Sequence, residues 1–398
     1  MKRTVLAMLA SAVSTFGDKP YCWRKTDTGW NPSGFSTIQQ HARFLAQGLR
    51  GRDVATDAHV AILAEGSPEW VTFEFGVITN HGASVPLSIK LLAEEIPFRV
   101  NHSEAVAIGV SKNQAKKLGS VYNQLEGRPL VVALEPQKDD VDAVAAAVPG
   151  ATVVGIRDLI DEGKTASDAV LAAVTKAIDT VDEDTVATVS YTSGTTGNPK
   201  GIMLTHLNYF ANCHDSIELF QVPLDFRTLL ILPCDHSFAH TVGIYAALVR
   251  GIELFFVDAR GGGMAILRNI PKNIVETNPT FLLTVPSLSG SFMKKITHGV
   301  AAKGTFANAI FTAGVRAGIK RNGDGVHRPG LFTRLLTWFP HTLAELLVFR
   351  KIRKMFGSSI RFFVGGGALL DIGQQQFFMA IGLRSEEHTS ELQSHSDL

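Results

Sequence analysis

Cysteine is scarce in this chain, with only Cys22, Cys213 and Cys234, an odd number that shares no metal-ligand spacing. That excludes a disulfide framework and a cysteine-held zinc, and it suits a reducing, cytoplasmic setting. Each thiol is expected as a small core residue rather than a nucleophile. Long apolar runs are also missing: none reaches the roughly 20 residues needed to cross a bilayer. Net charge is only +1 over 398 residues, so no global field draws the chain to nucleic acid, and none is expected as a partner. No internal repeat or low-complexity tract interrupts the sequence, and no set of metal ligands is singled out. Hydrophobic residues make up 45% of the chain, enough at this length for more than one core.

Short β-rich runs alternate with helix-length segments, a pattern that predicts an α/β fold with parallel sheets covered by helices. The expected strands are 59–63, 83–87, 106–110, 130–134, 152–156, 186–191, 229–232, 254–257, 280–285 and 360–364. Helices are expected over 68–79, 140–148, 167–178 and 264–277. The Asn322-Gly323 and Asp324-Gly325 pairs carry turn chemistry and mark an exposed loop between helices. At the amino terminus, Met1-Lys2-Arg3 followed by the apolar stretch Thr4 to Val13 imitates an export signal.

The densest chemistry lies at Tyr191 to Gly201, Tyr-Thr-Ser-Gly-Thr-Thr-Gly-Asn-Pro-Lys-Gly, directly after the largely apolar segment Thr185 to Ser190. Glycines let backbone N–H groups approach an anion, hydroxyls add donors, and a lysine supplies mobile positive charge. A plain strand-to-helix connection is the competing reading for such composition, but it gives no reason for Pro199 and Lys200 in this register. In a Walker A loop the lysine follows the second glycine and precedes Ser or Thr. Here Asn198 and Pro199 separate Gly197 from Lys200, and Gly201 follows, which disfavours an ordinary P-loop kinase or NTPase.

This order, continued by Ile202-Met203-Leu204-Thr205-His206, resembles the nucleotide signature of the AMP-forming acyl-adenylating enzymes. The segment Leu232-Pro233-Cys234-Asp235-His236-Ser237-Phe238 is similar to the Leu-Pro-x-x-His-x-Phe segment of the long-chain acyl-CoA synthetases. Arg361 to Leu369 resembles the family's strand ending in Gly-Gly-Ala, with Leu369 in place of a frequent proline. Gly17 to Pro20, Val60 to Leu63 with Pro68 to Trp70, and Gly82 to Leu87 follow the order of a fatty-acid ligase's first subdomain. The bacterial long-chain fatty acid CoA ligase type is the branch it resembles.

The resemblance implies two stacked αβα subdomains of an adenylating enzyme's large N-terminal domain, incomplete and without the small C-terminal domain, meeting near residues 180–200. It implies ATP, Mg²⁺ and coenzyme A, with a fatty acid as the acid partner. Thr192, Ser193, Gly194, Thr195, Thr196, Gly197 and Lys200 are expected at the phosphates, Gly366, Gly367 and Ala368 at the adenine, and His236 beside the acyl site; Lys200 and His236 are the catalytic candidates. Taken alone, a histidine such as His236 is more often a satisfied residue at a strand end than a functional one; the resemblance is what favours function here. An amphipathic helix, not an export signal, is expected at the amino terminus. The family's Tyr-Gly-x-Thr-Glu segment, ribose-binding aspartate and final-domain lysine do not appear. Residues 1–383 are therefore expected to form an incomplete AMP-binding domain, inactive as it stands. Residues 384–398 resemble a translated sequencing adapter, against the alternative of a frayed natural tail. A truncated nucleotide- or acyl-binding paralogue, and a ligase for another carboxylic acid, are the alternatives.

Charge is unevenly spread. From Lys294 to Arg361 there are thirteen Lys or Arg against Asp324 and Glu345, an excess of eleven. Within it, residues 331–356 mix Leu, Phe and Trp338 with Arg334, Arg350, Lys351, Arg353 and Lys354. Two readings stand: helices packed on a sheet with a solvated basic face, or peripheral contact with an anionic membrane surface.

Overall fold

The computed structural model describes residues 2–192, 199–219, 222–323 and 330–387, the last four by backbone alone. In chain order the strands are β1 (Pro20–Lys25), β2 (Trp30–Gly34), β3 (His59–Leu63), β4 (Ala83–Pro86), β5 (Ala107–Val110), β6 (Leu130–Ala133), β7 (Val153–Gly155), β8 (Val186–Thr192), β9 (Lys200–Thr205), β10 (Arg227–Leu230), β11 (Glu253–Phe256), β12 (Phe281–Thr284), β13 (Phe362–Gly365) and β14 (Arg384–Glu387). The chain divides into two compact units, Met1–Asp225 with Leu232–Ile266, and Phe226–Ile231 with Leu267 onward.

The first unit carries a seven-stranded sheet in the order β7-β6-β5-β3-β4-β8-β9, parallel throughout except for the terminal β8–β9 pair. Its inner strands are continuous apolar runs because both faces are covered; β3, β5 and β6 bury nearly every residue. The expected meeting point near residues 180–200 falls inside this unit, because Thr188 of β8 pairs with Ser84 of β4 and so extends the sheet. A second group, β11-β1-β2, pairs β1 parallel to β11 and antiparallel to β2. Pro32 is tolerated in β2 because that strand is an edge.

Two features fix the helices of this unit. Ser67 Oγ accepts the Trp70 N–H at 3.0 Å and Pro68 occupies the first turn, so the Pro68–Thr79 helix starts where its cap and its fixed φ both favour it. Gly163, on the Ile156–Lys164 helix, lies so close to the Phe35–Gly51 helix that an added Cβ would stand 1.8 Å from the Phe44 carbonyl oxygen. The amino-terminal helix, Val5–Phe16, is capped by Thr4 and buries Val5, Met8, Leu9 and Ala12, so its apolar stretch is a packed face.

The second unit holds the parallel strands β14-β13-β12-β10. Its helices include Pro286–Ala301, Thr305–Asn322, Leu331–Ala344 and Ile372–Ala380. Gly314 and Gly318, one turn apart, let the Thr305–Asn322 helix touch two neighbours: added Cβ atoms would lie 2.1 Å from that of Ala344 and 2.7 Å from that of Ala380. That helix ends at Gly323 with φ 65°, the turn expected there.

All ten expected strands occur, with ends shifted by a residue or two. The structure adds β1, β2, β9 and β14. No helix among the described residues is long and apolar enough to cross a membrane.

Candidate nucleotide and acyl site

The Gly/Thr segment stands in sequence between β8 and β9. β8 and β9 pair antiparallel, and the ladder closes with Tyr191 opposite Gly201 and Thr192 opposite Lys200. Thr192 and Lys200 are both exposed, so a hydroxyl donor and an ammonium stand at the end of the ladder. Ser193, Gly194, Thr195, Thr196 and Gly197 lie outside the described residues.

The hairpin is anchored on both sides of this mouth. Tyr191 Oη lies 2.8 Å from His102 Nδ1, tying β8 to the Ile96–His102 helix, and burial raises the phenol's pKa. A Cβ on Gly201 would stand 3.0 Å from Val189 and 3.4 Å from the Tyr191 ring, so glycine is the residue that lets β9 lie close there. Deeper in β8, Thr188 Oγ1 and the buried Tyr209 hydroxyl are 2.7 Å apart. β9 runs into the His206–Leu219 helix, where Thr205 and Asn208 exchange capping bonds: the Thr205 N–H donates to Asn208 Oδ1 at 2.9 Å and the Asn208 N–H to Thr205 Oγ1 at 3.3 Å. His206 is buried and its Nδ1 accepts the Val5 N–H at 3.2 Å; burial pushes its pKa down to about 4, so the ring stays neutral and can accept.

His236 belongs to the same unit, in the bend before a π-helical turn over Ala239–Tyr245. Its ring is exposed, and its Nδ1 accepts the Phe238 N–H at 3.3 Å, which leaves the proton of the neutral ring on Nε2. Its backbone N–H donates to Pro233 O at 3.2 Å. The structure therefore gives this histidine a fixed tautomer and solvent access together.

The same turn carries a feature that sequence reading passed over. His240 Nε2 lies 2.6 Å from Glu74 Oε1, which also accepts the Ser84 hydroxyl at 2.8 Å, and the His240 and Glu74 side chains are both almost wholly buried. Trp70 and Tyr245 pack around the imidazole, with ring centroids 5.1 and 5.3 Å away. Wide π-type turns recur at functional positions because they re-aim side chains. Here the turn aims His240 into the core at Glu74. The signal was a lone glutamate in the otherwise apolar segment Trp70 to Ile78.

In the second unit, Gly366, Gly367 and Ala368 follow β13. The Gly366 N–H still donates to Thr284 O at 3.1 Å, continuing the ladder, and then Gly367 turns left-handed with φ 78°. Gly366 is buried, whereas Gly367 and Ala368 are exposed, so the backbone opens just past the strand's carboxyl end. Asp371 then caps the Ile372–Ala380 helix. Leu369 is exposed, so close packing does not restrict the residue type at that position.

A cavity of about 490 Å³ in the first unit lies past the carboxyl ends of β3, β5, β6 and β11. None of the expected site residues lines it. Several of its charges are paired: Lys112 Nζ with Asp140 at 2.6 Å, Arg260 Nε with Asp258 at 2.8 Å, and Arg24 with Glu69. The buried Glu65 accepts from Ser111 and Gln114, both at 2.6 Å. At Gly66 an added Cβ would lie 2.6 Å from Cys234 Sγ, so the cavity wall backs onto the segment that carries His236.

The chain matches the AMP-binding enzyme family over residues 9–388 and belongs to it. It is 24% identical over 379 residues to the chloroplastic long-chain-fatty-acid–(acyl-carrier-protein) ligase AEE15 of Arabidopsis thaliana, covering 88% of this chain and 50% of that protein. It is 25% identical over 368 residues to long-chain-fatty-acid–CoA ligase 5 of Mus musculus, covering 90% and 50%. The chain thus spans about half the length of the curated relatives it matches. Among solved structures it resembles the inhibitor-bound N-terminal domain of FACL13 from Mycobacterium tuberculosis, with a TM-score of 0.63 at 18% identity, covering 99% of this chain and 77% of that one.

Proposed function

We propose that the chain is part of an AMP-forming ligase that activates a long-chain fatty acid as its adenylate and passes the acyl group to coenzyme A. The observation that carries this reading is the pairing of Thr192 with Lys200 across the mouth of the Gly/Thr hairpin, within a chain of this family. The family resemblance to long-chain ligases supports the choice of acid.

A carboxylate is a poor acyl donor because its leaving group would be oxide. ATP supplies the remedy when bound: its α-phosphorus takes the carboxylate oxygen, pyrophosphate departs, and the mixed anhydride is open to a thiol. The residues of this chain position and neutralise. Lys200 and the Thr192 hydroxyl would hold the phosphates, and their donors fit that anion in charge and hydrogen-bonding sense. Gly366 to Ala368 would border the adenine through backbone, which suits a segment opened by a left-handed glycine. His236, with Nε2 protonated and exposed, would offer a donor at the acyl site. Mg²⁺ would come with the nucleotide and supply charge neutralisation at the phosphates, a role that needs few protein ligands.

The test is exchange of labelled pyrophosphate into ATP by the full-length gene product. Dependence on long-chain fatty acids supports the reading; dependence on amino acids or aryl acids alone overturns the substrate assignment. Nucleotide binding to this chain with no exchange by the full-length product points to a non-catalytic binder.

A further inference from the structure

The basic, apolar stretch from residue 331 to 356 had two readings, and the structure separates them. In the Leu331–Ala344 helix only Thr337 and Ala344 are buried. Leu331, Phe332, Leu335, Leu336, Trp338 and Phe339 are all exposed, with Leu335 at 74%, Phe339 at 65% and Trp338 at 56%. At 100° per residue these six positions sweep an arc of roughly 160°, opposite the buried pair. Leu346, Leu347 and Met355 continue the exposed apolar surface beyond the helix. Packing on the sheet therefore does not account for this helix: most of its apolar area faces outward, far more than scattered surface leucines would explain.

Charge identifies what covers it. Arg316, Lys320, Arg334, Arg350, Lys351 and Lys354 are exposed in the same group of helices. Among the described residues from 294 to 361 no acidic side chain is exposed, since Glu345 is half-buried and held by Arg350 and Arg353. A second copy of this face would set cation against cation. An anionic lipid surface satisfies both halves, taking the apolar arc among its acyl chains and the cations at its headgroups.

We propose that the Leu331–Ala344 helix is an in-plane docking element for an anionic bilayer, with Phe332, Leu335, Leu336 and Phe339 inserted and Arg350, Lys351 and Lys354 at the headgroups. At 14 residues it is about 21 Å long, suited to lying on a membrane rather than crossing it. The placement is independent of the ligase reading.

Vesicle co-sedimentation tests it. The chain is expected to partition onto vesicles containing phosphatidylglycerol and much less onto pure phosphatidylcholine, with a loss at high salt. Leu335→Glu combined with Phe339→Glu is expected to lower partitioning at least about tenfold, and Arg350→Glu combined with Lys351→Glu by a similar factor on anionic vesicles only. These side chains are exposed, so circular dichroism should match that of the unsubstituted chain. Brominated acyl chains should quench a fluorescence component that Trp338→Phe removes. Absent partitioning, or undiminished partitioning of the double glutamate variant, overturns the proposal. So does a dimer abolished by the same substitutions, which would make the face a contact between copies. Binding by this chain but not by the full-length gene product would also overturn it, by showing the face to be covered within the protein.

Discussion

Thr192 and Lys200 face each other as the last paired residues of the antiparallel β8–β9 ladder, and the seven residues Ser193 to Pro199 separate them in sequence. The ladder below that pair is held by Tyr191 on His102 and by the close approach at Gly201, so the position of the lysine is set by backbone pairing. Its side chain is exposed and carries no structural burden. Lys200→Ala is therefore expected to leave the unfolding free energy within about 0.5 kcal/mol while weakening ATP binding by about tenfold or more, the value of one charge-assisted contact. Calorimetric titration of ATP into the chain, beside a urea unfolding curve, measures both.

The Glu74–His240 pair is expected to behave differently. Glu74→Ala strands the His240 ring nitrogen and the Ser84 hydroxyl together in a core closed by Trp70 and Tyr245. The expected cost is about 3 kcal/mol. His240→Ala should cost a similar amount, and the double substitution less than the sum, because the second change removes a group already orphaned. Urea midpoints of the four proteins in the cycle give the coupling. Strict additivity would show that the two side chains do not act as a pair.

His206 confers a pH dependence whose sign follows from its buried ring. Its pKa is about 4 in the folded chain against 6.5 for the free side chain, so the unfolded state takes up the proton first as pH falls. The stability it contributes is complete above pH 6.5 and is lost as pH falls toward 4. The full difference is about 3 kcal/mol, to order of magnitude. His206→Gln is expected to flatten the stability profile between those limits, measured as urea midpoints across the pH range; a ring titrating near 6.5 by NMR would refute the account.

The strands that could be read in the sequence are those buried on both faces, such as β3, β5 and β6, where Val, Ile, Leu and Ala dominate and leave little choice. β1 and β2 escaped notice because Arg24, Lys25 and Pro32 break the apolar pattern, and the edge strand β2 is held only by its antiparallel pairing to β1. β9 was hidden inside the motif it serves, since Lys200 to Thr205 reads as the end of a loop until β8 is there to pair with it. Thr192 and Lys200 stood out through the Gly/Thr motif and the glycines after β13 through a separate resemblance, and their roles belong to the proposed function. Glu74 was visible as an anomaly in an apolar helix, but its partner lies 166 residues away, and no local pattern joins them.

Gly367 offers the sharpest test of the adenine side, because the chain contains its own control. Gly367 and Gly382 both have φ 78°, a region that costs a residue with a Cβ about 1 kcal/mol or more. Alanine at either position should therefore lower stability by at least that much. At Gly382 the penalty should be larger, since the new Cβ would also lie 2.8 Å from the Arg353 guanidinium. The two variants part company on nucleotide binding. Gly367 sits in the exposed opening after β13, where backbone is expected to border the adenine, whereas Gly382 follows the Ile372–Ala380 helix and touches only Arg353 within reach of its missing side chain. Gly367→Ala is expected to weaken binding of AMP severalfold, and Gly382→Ala to leave it unchanged at temperatures where both variants are folded. Equal affinities for the two would remove Gly366 to Ala368 from the nucleotide site and leave the Thr192–Lys200 hairpin as its sole support.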